Sequence, residues 1–249
     1  MSVRVFNCFL KSLPWPPYRK IGAVSLLIET GGGPLLVDTG LGLRDYEYPS
    51  RMMRDFMKVM HAVQDPEIAI VRQLARMGYK PEDIHHIVLT HLHLDHAGGL
   101  PDFPQAQVHL FQREHEALQH PQKLLEIPYD KSHFAHGPRW QLHQLAGESW
   151  FDFDAVRIPG ISPEIWLVPL AGHTSGHCGV AIQTDNGWLF QCGDSVPVNL
   201  QFEFLPALIY RPTIGPHVPR LKAFAKARPE VRMIAGHMWL DWFEKWKKI

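Results

Sequence analysis

Apolar and polar positions divide this chain into short strands and short helices. Residues 2–10 alternate and predict a first strand. Val24-Ser25-Leu26-Leu27-Ile28-Glu29 and Pro34-Leu35-Leu36-Val37-Asp38 predict two more. Gly31-Gly32-Gly33 joins them as a hairpin, with glycine where positive φ is needed. Between these elements Pro14, Pro16 and Pro17 make residues 12–19 a loop that carries Trp15 and Tyr18. Asp65 is a good N-cap and Pro66 a good first helical residue. Ile68, Val71, Leu74 and Ala75 then share one helical face, which Gly78 can close. Ile87-Val88-Leu89 is a short buried strand and Gln107-Val108-His109-Leu110-Phe111 another, followed by a helix over 112–118.

The second half is richer in strands. Trp150–Ile158 and Ile165–Leu170 read as strands. Val180–Thr184 and Trp188–Gln191 flank Asp185-Asn186-Gly187, a strong hairpin signal. Residues 196–219 are apolar and punctuated by proline. Leu221–Ala227 predicts a short helix and Val231–Ala235 a last strand. Trp239, Trp242 and Trp246 lie on an amphipathic tail helix. Two stretches fit no regular element. Residues 41–64 are rich in methionine, and Phe56, Met57 and Met60 share a helical face that suits either the core or an adaptable cover over an apolar substrate. Residues 121–147 carry His133, His136 and His143 among three prolines and read as an insertion beside the site.

The chemistry concentrates in Thr90-His91-Leu92-His93-Leu94-Asp95-His96-Ala97-Gly98-Gly99, straight after a buried strand. Three histidines and an aspartate fall within six positions. At strand spacing His91 and His93 point to one side, while Leu92 and Leu94 can face the core. Asp95 and His96 are adjacent and fit a turn. The geometry suits two metal ions: His91 and His93 on the first, Asp95 and His96 on the second. Nitrogen and carboxylate donors together suit zinc, with iron and manganese as alternatives.

This signature resembles that of the metallo-β-lactamase superfamily of binuclear metallohydrolases. The other motifs follow in order: Gly172-His173-Thr174-Ser175-Gly176-His177, Gly193-Asp194 and Gly236-His237. The resemblance implies His91, His93 and His173 on one divalent ion, Asp95, His96 and His237 on a second, and Asp194 bridging them. It implies that Asp38, in a Val37-Asp38-Thr39-Gly40 segment, orients a metal histidine. His177 is expected to be a hydrogen-bonded structural residue. The implied fold is α+β, a four-layer αββα sandwich of two mixed β-sheets flanked by helices. The expected organisation is a single domain over residues 1–249 with lid-like insertions near 41–64 and 121–147.

Composition narrows the partners. Apolar residues make up 45% of the 249, enough for a substantial core. Lys plus Arg equals Asp plus Glu at 25 each, which argues against a nucleic-acid surface. Cys8, Cys178 and Cys192 do not form a disulfide framework and read as small core residues in a reducing, cytoplasmic setting. No signal-peptide pattern and no run long enough for a membrane span is visible. A small ester or lactone is the expected partner, and a homodimer is compatible with the reading.

In such a centre a water held between two divalent ions is expected to attack a carbonyl as hydroxide, with Asp95 or Asp194 relaying the proton. In broad pattern the chain is similar to N-acyl-homoserine lactone lactonases, which points to a lactone or related ester. It departs from them three residues after Asp194. A carbonyl-binding Tyr is common there, and this chain has Pro197. Ser195, Asn199 and Tyr210 are the candidate donors in its place. The alternatives are a thiolester hydrolase of glyoxalase II type, an aryl ester or phosphotriester hydrolase, and a non-catalytic metal-bound relative.

Overall fold

The computed structural model describes residues 2–12, 20–121, 126, 129–196 and 216–246. The loop with Trp15 and Tyr18, most of the apolar stretch 196–219, and Pro197, Asn199 and Tyr210 lie outside them. Strands β1 (Val3–Ser12), β2 (Lys20–Thr30) and β3 (Gly33–Val37) form antiparallel pairs, with a two-residue turn at Gly31-Gly32. Helices α1 (Leu43–Glu47), α2 (Arg51–Val59) and α3 (Ile70–Ala75) lead to β4 (His86–Val88). The one-turn helix α4 (Leu94–Ala97) precedes β5 (Gln107–Phe111), α5 (Gln112–Gln119) and β6 (Arg139–His143). Strands β3 to β6 are mutually parallel and complete the first sheet in the order β1-β2-β3-β4-β5-β6.

After the small hairpin of β7 (Ser149–Trp150) and β8 (Phe153–Asp154), the second sheet is built from five strands. These are β9 (Val156–Arg157), β10 (Ile165–Pro169), β11 (Cys178–Thr184), β12 (Gly187–Gln191) and β13 (Val231–Ile234). Helix α6 (Val218–Ala227) precedes β13. The chain then returns to the first sheet, where β14 (His237–Trp239) pairs with β2, and ends in α7 (Leu240–Trp246).

Three apolar layers hold this together. Leu27, Leu36, Ile87 and Val108 pack on the outer side of the first sheet against Met53, Met57, Leu74 and Leu118 of the helices. Leu26, Val37 and Val88 face Leu167, Val180, Leu189 and Ile234 between the sheets. Val168, Ala181 and Phe190 meet Leu221 and Phe224 of α6 on the far side. Helix, sheet, sheet, helix is the four-layer order expected. The β2 and β3 residues alternate between the first two layers, as a strand buried on both faces must.

Several elements differ from the sequence expectation. The helix over 65–77 is broken. Asp65 caps a single 3₁₀ turn over Pro66–Ile68, Ala69 is extended at ψ 133°, and α3 starts afresh. The Gln73 amide makes the break tolerable, because its Nε2 donates to the Ile68 carbonyl at 2.6 Å and to that of Asn7 at 2.7 Å. The strand over 150–158 is also broken, into β7, β8 and β9 around a turn where Phe151 takes φ 47°. Residues 121–147 include β6, an edge strand with exposed and half-buried positions and no apolar run to announce it. This stretch is tied to the other irregular one. Ser50 Oγ donates to Asp130, and His133 Nε2 donates to Asp45 Oδ1 at 2.7 Å.

On β4 and β5 and at the end of β6, His86, His109 and His143 form a chain of imidazoles with ring nitrogens 3.0 Å apart at each step. Burial, with the neighbouring rings of His143 and His86, lowers His109 from the ordinary 6.5 to about 3. A histidine that binds its proton less readily when folded costs stability wherever the unfolded chain would protonate it. Stability therefore falls as pH drops from about 6.5 toward 3. At pH 5 we expect His109 alone to cost on the order of 2 kcal/mol relative to pH 7. Urea unfolding at the two pH values, on the native chain and on His109→Phe, should show the slope flattened in the variant. Equal slopes would contradict it.

Candidate metal centre

The site gathers at the C-terminal ends of β3, β4, β10 and β12, which lead to Asp38, His91, His173 and Asp194 in turn, and at the first residue of β14, His237. Strand β4 stops at Val88, short of the histidines. The Thr90 N–H leaves the ladder and donates to Asp38 Oδ1 at 2.8 Å. His91 and His93 therefore sit on irregular backbone rather than a strand, and Asp95 and His96 ride the first turn of α4. Leu92 and Leu94 are buried in the helical layer, as the alternation predicts.

All seven candidate ligands come together. His91, His93 and His173 form one trio, Asp95, His96 and His237 another, and His91, His96 and Asp194 a third. Within each, the donor atoms lie within 4.8 Å of one another. Asp194 spans the arrangement. Its Oδ1 is 3.4 Å from both His96 Nε2 and His237 Nε2, while its Oδ2 is 3.4 Å from His173 Nε2. His93 Nδ1 and His173 Nε2 meet at 2.8 Å, and His237 Nε2 lies 3.6 Å from Asp95 Oδ2.

The donors fit cations. His91 Nε2, His96 Nε2 and Asp194 Oδ1 are buried and make no hydrogen bond among the described residues. Orphaned buried polar atoms are costly unless something of opposite character meets them. Burial raises the Asp194 carboxyl, but the positive character of His237 and His96 outweighs it, and the group lies well below the usual carboxylate range. Burial lowers His96, yet Asp194 and Asp38 hold it well above the usual imidazole range. His91, fully buried and facing other imidazoles, is pushed well below that range. The cluster thus calls for positive charge at its carboxylates and for lone pairs at His91.

Asp38 sets the tautomers of histidines in two trios. His96 Nδ1 donates to its Oδ2 at 2.9 Å, which turns the Nε2 lone pair inward. His91 Nδ1 donates to Thr90 Oγ1 at 3.0 Å, and that hydroxyl donates on to Asp38 Oδ2 at 2.9 Å. Asp38 holds this position at φ 56°, a left-handed backbone that costs about 1 kcal/mol or more outside glycine. Its N–H to Val88 and its carbonyl accepting from Ser25 Oγ hold it there. Asp38→Asn is expected to weaken metal affinity roughly 10- to 100-fold. Chelator competition measures this, and an unchanged affinity would contradict the orienting role.

His177 is hydrogen-bonded within the structure, as expected, while the roles of Gly236 and Glu114 go beyond the motif reading. His177 accepts the Asp194 N–H on Nε2 at 2.9 Å and faces Ser195 Oγ through Nδ1 at 3.2 Å, so it holds the aspartate's backbone. Gly236 is needed beside it, because a Cβ there would stand 2.2 Å from Asp194 Oδ1. The fully buried Glu114 of α5 collects four donors. These are the Leu92 N–H at 2.9 Å, Tyr129 Oη at 2.7 Å, Thr174 Oγ1 at 2.7 Å and the Gly176 N–H at 3.1 Å. It joins the loop between His91 and His93 to the loop that carries His173. Gly176 permits the approach, since a Cβ would meet the Glu114 backbone nitrogen at 2.0 Å. The three cysteines are buried free thiols outside the ligand trios.

A cavity of about 230 Å³ opens onto His93, Asp95, His173, Asp194 and His237. Phe56, Met60, Leu94 and Lys11 form the rest of its wall. Phe56, Met60 and Leu94 also line a groove of about 630 Å³ along α2, with Met52 and Val59. The methionine-rich helix is thus shared, with Met53 and Met57 in the core and Phe56 and Met60 at the site.

The chain belongs to the metallo-beta-lactamase superfamily, whose model matches residues 19–237. Over 172 residues, 68% of this chain, it is 38% identical to a probable metallo-hydrolase of Mycobacterium tuberculosis. That match covers 55% of the relative, so the chain spans little more than half its length. It is 32% identical over 161 residues to an N-acyl homoserine lactonase of a Bacillus species, covering 64% of this chain and 57% of the relative. A mutant of the Bacillus thuringiensis lactonase AiiA, solved with N-decanoyl-L-homoserine bound at its active site, superposes with a TM-score of 0.72 at 22% identity. The superposition covers 98% of this chain and 95% of that one. No helix among the described residues is long and apolar enough to cross a membrane.

Proposed function

We propose that this chain is a metal-dependent hydrolase that opens lactones or related carboxylic esters bearing an apolar arm. The observation that carries the reading is Asp194, whose two oxygens face ligands of different trios at 3.4 Å. One carboxylate serving two sets of donors is what a pair of divalent ions requires. His91, His93 and His173 would hold one ion and Asp95, His96 and His237 the other, with Asp194 shared; the imidazole and carboxylate donor set suits zinc. Such ions, when bound, would acidify a water molecule and polarise a carbonyl oxygen.

The chain's own residues do the rest. Asp38 keeps the lone pairs of His91 and His96 turned inward. Asp95 or Asp194 can accept the proton of the attacking water on a carboxylate oxygen and pass it to the leaving alkoxide. Phe56, Met60 and Leu94 strip water from one side of the cavity, and the groove continuing along α2 suits an acyl chain. The relatives named as N-acyl homoserine lactonases support a lactone as the first substrate to offer.

A hydrolysis screen of the metal-loaded protein over lactones, thiolesters, aryl esters and phosphotriesters tests this, with metal content measured on the same sample. We expect lactones with long acyl chains to give the highest kcat/KM. A metal-replete sample inert toward lactones and aryl esters would refute the reading.

A further inference from the structure

This inference rests on the hydrolase reading above. When the oxygen of water bonds to a scissile carbonyl carbon, the π pair moves onto the carbonyl oxygen and the water proton passes to a carboxylate. Collapse breaks the bond to the alkoxy oxygen, which takes that proton. Beside the polarising ions, a hydrogen-bond donor already in place can meet the charge that develops on the carbonyl oxygen, and preorganised donors of this kind commonly contribute a large term in the rate.

The lining of the 230 Å³ cavity restricts the choice. Phe56, Met60 and Leu94 have no side-chain donor. The histidines and carboxylates are turned on one another. Ser195, a candidate from sequence, is fully buried, and its Oγ is spent on the Leu170 carbonyl at 3.1 Å and on His177. Among the described lining residues, Lys11 alone offers a donor outside the ligand set.

Its placement follows from the end of β1. Leu10 and Ser12 bond the backbone of Val63 and His61, and Lys11 bridges to Ala62, so the strand end is fastened to the segment that follows α2. That fixes Lys11 on the same wall as Phe56 and Met60, in the cavity that Asp95 also lines. An ammonium on that wall is drawn to negative charge, and an oxyanion forming on the substrate in the cavity supplies it. The geometry points to Lys11 as the donor that meets the oxyanion formed from the substrate carbonyl.

The test compares metal-loaded native protein with Lys11→Met and Lys11→Arg, using the best ester or lactone from the screen. Lys11→Met should lose about 100-fold in kcat while KM, metal content and thermal midpoint stay close to native. Lys11→Arg should recover at least tenfold of that loss. Binding supplies a readout apart from turnover. A trifluoromethyl ketone with the same acyl group, which hydrates to an oxyanion mimic, should bind Lys11→Met about 100-fold more weakly. The corresponding unreactive amide should bind both proteins alike. Native kcat in Lys11→Met, or unchanged affinity for the ketone, overturns the inference and leaves the hydrolase reading standing. An inert native protein sinks the hydrolase reading itself. If Lys11→Met does not fold, Lys11→Gln is judged by the same ketone affinity.

Discussion

Asp194→Asn should lose metal and turnover together. The amide keeps the shape of the side chain but removes the negative charge shared by His96, His173 and His237. We expect metal content to fall from the proposed two ions per chain to one or fewer. We expect kcat to drop roughly 1000-fold or more, about 4 kcal/mol of transition-state stabilisation. The substitution is clean because residue 194 is fastened to the fold by its backbone. The N–H that donates to His177 Nε2 is untouched by the change. Elemental analysis and steady-state kinetics on one preparation decide the matter. Full turnover with both ions retained would remove Asp194 from the centre.

Glu114→Ala should be the most destabilising single change at the site. It strands four donors in a fully buried position: two backbone N–H groups, the Thr174 hydroxyl and the Tyr129 phenol. Each unsatisfied group costs about 1–3 kcal/mol, so a total near 4 kcal/mol is expected after partial relaxation. Glu114→Gln should cost less, about 2 kcal/mol, since one oxygen still accepts while the amide nitrogen faces two donors. Both variants should also bind metal more weakly, because Leu92 lies between His91 and His93 and Thr174 follows His173. Urea unfolding and chelator competition measure the two effects. A Glu114→Ala protein as stable as the native one would mean that water or another side chain satisfies those donors.

The contrast between Asp194 and Glu114 shows what the sequence made legible. The six positions from His91 to His96 are contiguous, so their donor types can be read directly. His173, Asp194 and His237 each follow a glycine in a recognisable short motif. Glu114 has no such signature. Its importance comes from three segments that meet only in the folded chain, and its neighbours in α5 look like those of any surface helix. The chain of His86, His109 and His143 is hidden for the same reason, since parallel strands align residues with no fixed spacing in sequence. Long apolar strands such as β2 were plain, because burial on both faces demands a near-continuous apolar run. Strands β6 and β14 were not. The first is a half-exposed edge, and the second has three residues and begins with a candidate ligand. Helix α2 illustrates the limit of periodicity. Its pattern showed an apolar face but not that Met53 and Met57 would enter the core while Phe56 turned toward the cavity.

One measurement bears most directly on the whole account: anomalous diffraction from crystals of the zinc-loaded protein, recorded on both sides of the zinc edge. Two peaks are predicted. One should lie among His91, His93 and His173 and the other among Asp95, His96 and His237, with an Asp194 oxygen in contact with each. A single peak, or a pair that leaves Asp194 uncoordinated, would contradict it.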